Sequence, residues 1–147
     1  EHAVLLAEGD LERIVALDLP VSVQPSHYLA SSLGSTADRL GDRFAQCYDH
    51  RGLIDAGVTL GMGTDWPVWP EPSPLLSSWT AGKRDPGALS PEEALWAYTE
   101  GAALSMGQTD LGRLEVGYMA DLVVLDGRLD EEELNAIRVL DTYVGGI

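Results

Sequence analysis

The sequence has little cysteine and no long apolar run. Its single cysteine, Cys47, excludes an internal disulfide framework and a zinc site of the CxxC type. Because nothing beside Cys47 activates its thiol, we predict an inert cysteine within a helix. No apolar run reaches the ~18 residues of a membrane span, and the first residues lack a signal peptide, which predicts a cytoplasmic protein. Glu1 stands first instead of methionine, so we expect a chain cut from something longer.

Basic residues are also scarce. The chain has 9 basic residues against 24 acidic ones, which gives a formal net charge of −15. Nucleic acids and anionic membranes are bound by basic patches, so we expect neither as a partner. The acidic residues are spread along the chain, which indicates a solvated surface. A hydrophobic content of 45% over 147 residues predicts a folded segment with one modest core.

The segment Thr59–Val68 combines a small, apolar first half with a carboxylate, Asp65, where the apolar run stops. The apolar part, Val58–Gly63, predicts a strand buried on both faces. Pro67 ends it, because proline offers no N–H to a β-ladder and restricts Trp66 before it. A carboxylate at the C-terminal end of a parallel strand lies where α/β barrels place their chemistry. The alternative is an aspartate that only caps the following turn.

The rest of the chain predicts alternating helices and strands. We expect helices over residues 10–17, 44–56 and 101–106, a helical piece near 36–40 within a long loop over 26–43, helical or acidic turns near 75–81 and 130–135, and strands over 21–24, 120–126 and 137–143. A further helix begins at Ser90, where Pro91 and Glu93 complete a capping box. These patterns divide the chain into βα units over residues 1–110 and a small β segment over 111–147.

Several motifs occur in the order found in the amidohydrolase superfamily. They are Glu1-His2-Ala3, Val23-Gln24-Pro25-Ser26-His27, Gly63-Thr64-Asp65-Trp66-Pro67-Val68, Leu89–Leu95, Ala102-Ala103 and Leu111–Asp126. Together they cover nearly the whole chain and resemble the branch that includes N-substituted formamide deformylases. The resemblance implies an α/β fold: the C-terminal part of a TIM (β/α)₈ barrel, about strands six to eight with their helices, then a partial small β-sandwich segment.

The resemblance also implies a metal site. His2 would be the ligand from the sixth strand and Asp65 the aspartate from the eighth. His27 would face the substrate after the seventh strand, with Trp66 and Trp69 at the pocket rim; the alternative for His27 is a bond to a backbone carbonyl. Imidazole and carboxylate groups suit zinc, iron or manganese, and we expect zinc, as one or two ions in the whole protein. The HxH pair and the fifth-strand histidine of the family are absent here.

In this family the site hydrolyses a C–N bond. The metal lowers the pKa of a water molecule, Asp65 passes the proton of that water to the leaving amine, and the metal with a nearby histidine stabilises the oxyanion. We therefore predict the C-terminal part of a metal-dependent amidohydrolase that acts on a small, amide-type, non-peptide substrate. His2 and Asp65 alone are fewer than the three ligands usual for catalytic zinc. We expect weak metal binding and little activity from these residues by themselves.

Two other interpretations stay open. A non-catalytic barrel fragment could act only as a folding or association module, and its open strand edges predict self-association or a homo-oligomer. A small-molecule binding module could use His27 and the tryptophans as its pocket, although no glycine-rich phosphate loop supports it. In all three interpretations His50 is predicted on the surface and Trp96 in the core.

Overall fold

The computed structural model describes residues 1–32, 34–68, 89–128 and 137–147, and every structural statement refers to these ranges. The helices are α1 (Asp10–Ala16), α2 (Ser26–Ser32), α3 (Ser35–Leu40), α4 (His50–Asp55), α5 (Pro91–Tyr98) and α6 (Glu100–Ser105), with a 3₁₀-helix over Gly41–Gln46. The strands are β1 (Val21–Val23), β2 (Leu60–Met62), β3 (Leu122–Leu125) and β4 (Val139–Tyr143). Trp69 and the turns predicted near 75–81 and 130–135 lie outside the described residues.

A parallel pair of strands, β1 and β2, lies at the centre of the core. Val21 pairs with Leu60, and Val23 pairs with Met62. The two strands are short and apolar, and Val23 and Leu60 are fully buried, as expected for strands covered on both faces. Because the strands run parallel, the segments that follow them emerge at the same edge of the sheet.

Helices cover this pair of strands. Gly61 lets α6 approach β2 closely, since a Cβ atom at Gly61 would lie 3.2 Å from the Cα atom of Ala102. Trp96 is partly buried against the core, close to its predicted place, and its indole N–H donates to Glu100 at 3.0 Å. The buried core consists of Val21, Val23, Leu53, Val58, Leu60, Met62, Leu89, Ala94 and Ala97.

The start of α5 confirms the predicted capping box. The Ser90 hydroxyl accepts from the backbone N–H of Glu93, and the Glu93 carboxylate accepts from the backbone N–H of Ser90. Glu93 also accepts two hydrogen bonds of 2.8 Å from Arg51 on α4. One carboxylate therefore closes the end of α5 and ties it to α4.

The last part of the chain forms a separate antiparallel pair, β3 and β4. Leu122 pairs with Tyr143, and an irregularity falls between Val124 and Leu125. These bounds confirm both predicted strands, although each strand is shorter than predicted. All five residues of β4 are exposed. No helix among the described residues combines the length and apolar character needed to cross a bilayer.

Several sequence predictions about local structure are wrong. Residues 26–32 form α2 instead of a loop; the N–H groups of His27 and Tyr28 begin its turn by donating to the carbonyls of Gln24 and Pro25. The polar composition predicted a loop, but the Tyr28 ring stacks on Phe44 at 5.8 Å, so tertiary packing outweighs local propensity.

The helix predicted over residues 44–56 is interrupted. Tyr48 has a positive φ of 57°, and Asp49 starts α4 afresh by accepting from the backbone N–H of Gly52. Cys47 is therefore buried in extended backbone instead of in a helix. His50, predicted on the surface, is only 3% exposed at the start of α4.

Candidate metal centre

The candidate site lies at the carboxyl edge of the β1–β2 pair. Gln24 follows β1 directly, and His27 lies in the first turn of α2. The ladder continues past the strands, because the N–H of Gly63 donates to the carbonyl of Val23 at 3.0 Å. Asp65 comes shortly after that bond. The local structure therefore delivers an imidazole and a carboxylate to one edge, as the sequence predicted.

Three side chains converge there: His2, His27 and Asp65 each offer a ligand atom, and these atoms all lie within 4.8 Å of one another. Nε2 of His27 lies 3.7 Å from Oδ2 of Asp65, and the two imidazole rings stack with centroids 5.7 Å apart. Two donors that each lie about 2.0–2.2 Å from one zinc ion can be no more than about 4 Å apart. The His27–Asp65 spacing therefore fits a shared ion, and the ligand atom of His2 lies within 4.8 Å of both.

The backbone at two of these residues is strained. His2 has a φ of 68° and Asp65 a φ of 59°, and Ala3 beside His2 has a φ of 41°. For residues with a Cβ atom such conformations cost of order 1–3 kcal/mol, and they persist where the surrounding structure holds them. Positive φ values at both predicted ligands are consistent with a functional constraint on where their side chains point.

The environment of His27 favours the neutral imidazole. Burial lowers the pKa of His27, the nearby carboxylate of Asp65 acts in the opposite direction, and His2 lowers it further. The side chains of His27 and Asp65 are 19% and 31% exposed, so both are largely shielded from water. Metal ions bind the unprotonated imidazole nitrogen. The donor set of two imidazoles and one carboxylate thus fits a divalent ion chemically, and the spacing of His27 and Asp65 fits one geometrically.

Two further residues support the site, and neither was predicted from the sequence. The buried Gln24 places its Oε1 atom 2.6 Å from Nδ1 of His2 and donates from Nε2 to the carboxylate of Glu1. The hydroxyl of Tyr98 on α5 donates to the carbonyl of Gly63 at 3.1 Å. A polar residue directly after a buried strand was a usable signal for Gln24, whereas nothing local marks Tyr98.

The remaining predicted site residues are less informative. Trp66 directly follows Asp65 and is 65% exposed, and its backbone N–H donates to the hydroxyl of Thr64 at 3.3 Å. Its role at a pocket rim therefore stays a prediction. Trp69, assigned to the same rim, lies outside the described residues.

The chain resembles known proteins of one enzyme family. The model of the amidohydrolase family matches residues 1–147. The Arabidopsis thaliana protein LONG AFTER FAR-RED 3 is 36% identical over 161 residues, which cover 99% of this chain and 27% of that protein.

Solved structures resemble the chain as well. An uncharacterized metal-dependent hydrolase from Pyrococcus horikoshii OT3 superposes with a TM-score of 0.82 at 29% identity, over 93% of this chain and 30% of that one. A mutant atrazine chlorohydrolase TrzN from Arthrobacter aurescens TC1, complexed with zinc and atraton, gives 0.74 at 25% identity, over 99% and 34% of the two chains. These relatives are about three times as long as the part they share with this chain. The likeness shows a TIM-barrel-type fragment; which barrel strands it contains stays a prediction.

Proposed function

Because this chain belongs to the amidohydrolase family, we propose that it supplies the C-terminal part of a metal-dependent hydrolase that cleaves a C–N bond in a small, amide-type, non-peptide molecule. The cluster of His2, His27 and Asp65 at the carboxyl edge of two parallel strands carries this proposal. The motif order favours the formamide-deformylase-like branch, strands six to eight of the barrel, and a partial β-sandwich over residues 111–147.

We propose His2 and Asp65 as metal ligands and His27 as a third donor to the same ion. The family resemblance predicts that His27 faces the substrate, and its position suits either role. The ligand role is favoured because Nε2 of His27 and Oδ2 of Asp65 are only 3.7 Å apart. Three protein ligands with an open position are the usual composition of catalytic zinc sites, so His27 would complete a set that the other two residues cannot provide.

When bound, the divalent ion supplies Lewis-acid activation of water for attack on the substrate. The chain's own residues then hold and move protons. Asp65 accepts a proton from the attacking water and delivers it to the leaving amine, since a carboxylate within hydrogen-bond reach can serve as base and then as acid. We favour zinc as the ion because imidazole and carboxylate donors suit it and because the TrzN relative was solved with zinc.

Cobalt and a small chelator test this proposal. Co²⁺ replaces zinc in such sites and reports its coordination by visible absorption. We expect a Co²⁺ absorption band with the chain, and we expect acetohydroxamate to change that band, because a catalytic metal keeps an open position whereas a structural one is closed. A band insensitive to acetohydroxamate contradicts a hydrolytic site, and no band at all contradicts the metal centre.

A second candidate, an association module without catalysis, is favoured by one observation. The β3–β4 pair exposes apolar side chains, with Val123, Val139 and Leu140 each more than half exposed. Exposed apolar faces of this kind promote association. Sedimentation velocity measures this directly: we expect dimers or larger species, and a clean monomer at high concentration contradicts the association module.

A further inference from the structure

We infer that Gln24 is a positioning residue that fixes the tautomer and ring orientation of His2, so that Nε2 of His2 is presented to the metal. This inference rests on the metal centre proposed above. Gln24 is only 4% exposed, and its Oε1 atom lies 2.6 Å from Nδ1 of His2. A buried carboxamide in this position needs a full set of partners, since an unmet polar group in the interior is costly.

The direction of the hydrogen bonds follows from Glu1. The carboxylate of Glu1 can only accept, so the group of Gln24 that faces it must be the donor, Nε2. The Oε1 atom then points to His2 as an acceptor, and Nδ1 of His2 must carry the hydrogen. In a neutral imidazole the other nitrogen, Nε2, is left with the lone pair that binds a metal. A reversed carboxamide would place Oε1 against the carboxylate, which is electrostatically unfavourable.

Gln24 also contacts the second histidine. Its backbone carbonyl accepts from the backbone N–H of His27 at 3.0 Å, and this bond helps to begin α2. The residue thus reaches His2 through its side chain and His27 through its main chain. Side chains that accept a hydrogen bond from a metal-bound histidine commonly fix the orientation of its ring, and their loss costs about 10–100-fold in metal affinity.

The metal-free chain tests the first half of this inference. Long-range ¹⁵N–¹H NMR distinguishes the two neutral tautomers of a histidine. We expect the neutral His2 of the wild-type chain to carry its hydrogen on Nδ1. In Gln24→Met, which keeps the length of the side chain but has no strong acceptor, we expect the Nδ1–H signature to be lost. An Nε2–H tautomer in the wild-type chain overturns the inference, whether or not the variant folds.

Metal affinity tests the second half. We expect Gln24→Met to weaken Zn²⁺ binding about 10–100-fold. The control is the double variant Glu1→Gln with Gln24→Glu, which exchanges the two side chains. The new carboxylate at position 24 still accepts from His2, and the new carboxamide at position 1 donates to that carboxylate. We therefore expect this variant to retain the Nδ1–H tautomer and most of the affinity for Zn²⁺. A folded Gln24→Met chain with wild-type affinity overturns the positioning role. Should the wild-type chain bind no metal, the proposed function fails, while the tautomer measurement still decides the role of Gln24.

Discussion

Nε2 of His27, in the first turn of α2, lies 3.7 Å from Oδ2 of Asp65, which follows β2. The parallel pairing of β1 and β2 produces this proximity, because it aligns the ends of both strands. The spacing is too long for a strong hydrogen bond but suits two donors to one ion. This pair is therefore the part of the site that most directly separates a metal centre from an ordinary strand end.

The role of His27 can be separated from that of a substrate contact. If His27 is a ligand, His27→Ala should lower Zn²⁺ affinity by at least about tenfold. Losing a residue that only supports a ligand already costs about 10–100-fold in metal affinity, so losing a ligand should cost no less. Calorimetric titration of the metal measures the change, with circular dichroism to confirm folding. Unchanged affinity in a folded variant assigns His27 to the substrate side instead.

Tyr98 should stabilise the segment that leads to Asp65. Tyr98→Phe removes the hydroxyl that donates to the carbonyl of Gly63, and a lost hydrogen bond of this kind costs about 0.5–1.5 kcal/mol in the free energy of unfolding. Tyr143→Phe makes the same chemical change on the exposed strand β4, where we expect a smaller effect. Urea denaturation compares the two. Equal losses in both variants would show that the Tyr98 bond contributes nothing specific.

The close approach of α6 to β2 predicts that Gly61 tolerates no side chain. In Gly61→Ala the new Cβ atom would lie 2.5 Å from Oγ of Ser105 and 3.2 Å from Cα of Ala102. Overpacking of this kind costs about 1–3 kcal/mol in unfolding free energy. Gly63→Ala, one residue past the end of β2, is the matched control, because no atom beyond its chain neighbours lies within 4 Å of its Cβ position. A Gly61→Ala chain as stable as this control contradicts the described packing.

The pair of Glu100 and Arg113 predicts a pH dependence of stability. A hydrogen bond from Arg113 lowers the pKa of Glu100 below its ordinary value of 4.5. A carboxylate whose pKa is lower in the folded protein than in the unfolded one stabilises the fold. This stabilisation is complete above the pKa of the unfolded state and is lost as the pH falls through the pKa of the folded state. Wild type should therefore melt above Glu100→Gln at pH 7, and the difference should vanish in strong acid.

Thermal melts across that pH range check the expectation. Glu92→Gln, at an exposed position in the first turn of α5, is the matched control and should change little. A Glu100→Gln difference that persists unchanged into strong acid would show that its origin is not the ionised pair.

Residues 1–147 should show little turnover by themselves. They correspond to only 30% of the length of the Pyrococcus horikoshii hydrolase, and the family's HxH pair is absent from them. Mass spectrometric assays of the zinc-loaded chain with N-substituted formamides, ureas and cyclic imides measure this. Sustained zinc-dependent turnover would contradict the expectation that further ligands and pocket walls are needed.

Much of the site could be predicted from sequence because strand ends are marked locally. Pro25 and Pro67 mark where two apolar runs end, with His27 two residues after Pro25 and Asp65 two residues before Pro67. The capping box at Ser90 is equally local, and the structure confirms it. Such features depend on a few neighbouring residues, so they can be predicted without knowledge of the fold.

Other features depend on contacts between distant segments and could not be predicted. The helix α2 replaces an expected loop because Tyr28 packs on Phe44. His50 is buried, although its helical pattern predicted a surface position. The contact between Gln24 and His2 exists only because the start of the chain lies beside the end of β1. In each case tertiary packing decides what local composition leaves open.

Zinc titration of Asp65→Asn tests the metal centre most directly. Asn keeps the shape of the side chain but removes the negative charge, and Asp38→Asn makes the same change on the exposed face of α3. We predict that the wild type and Asp38→Asn bind a single zinc ion with equal affinity, and that Asp65→Asn binds at least about 10–100-fold more weakly. Equal zinc affinity in all three chains, or no saturable binding by the wild type, would contradict the account.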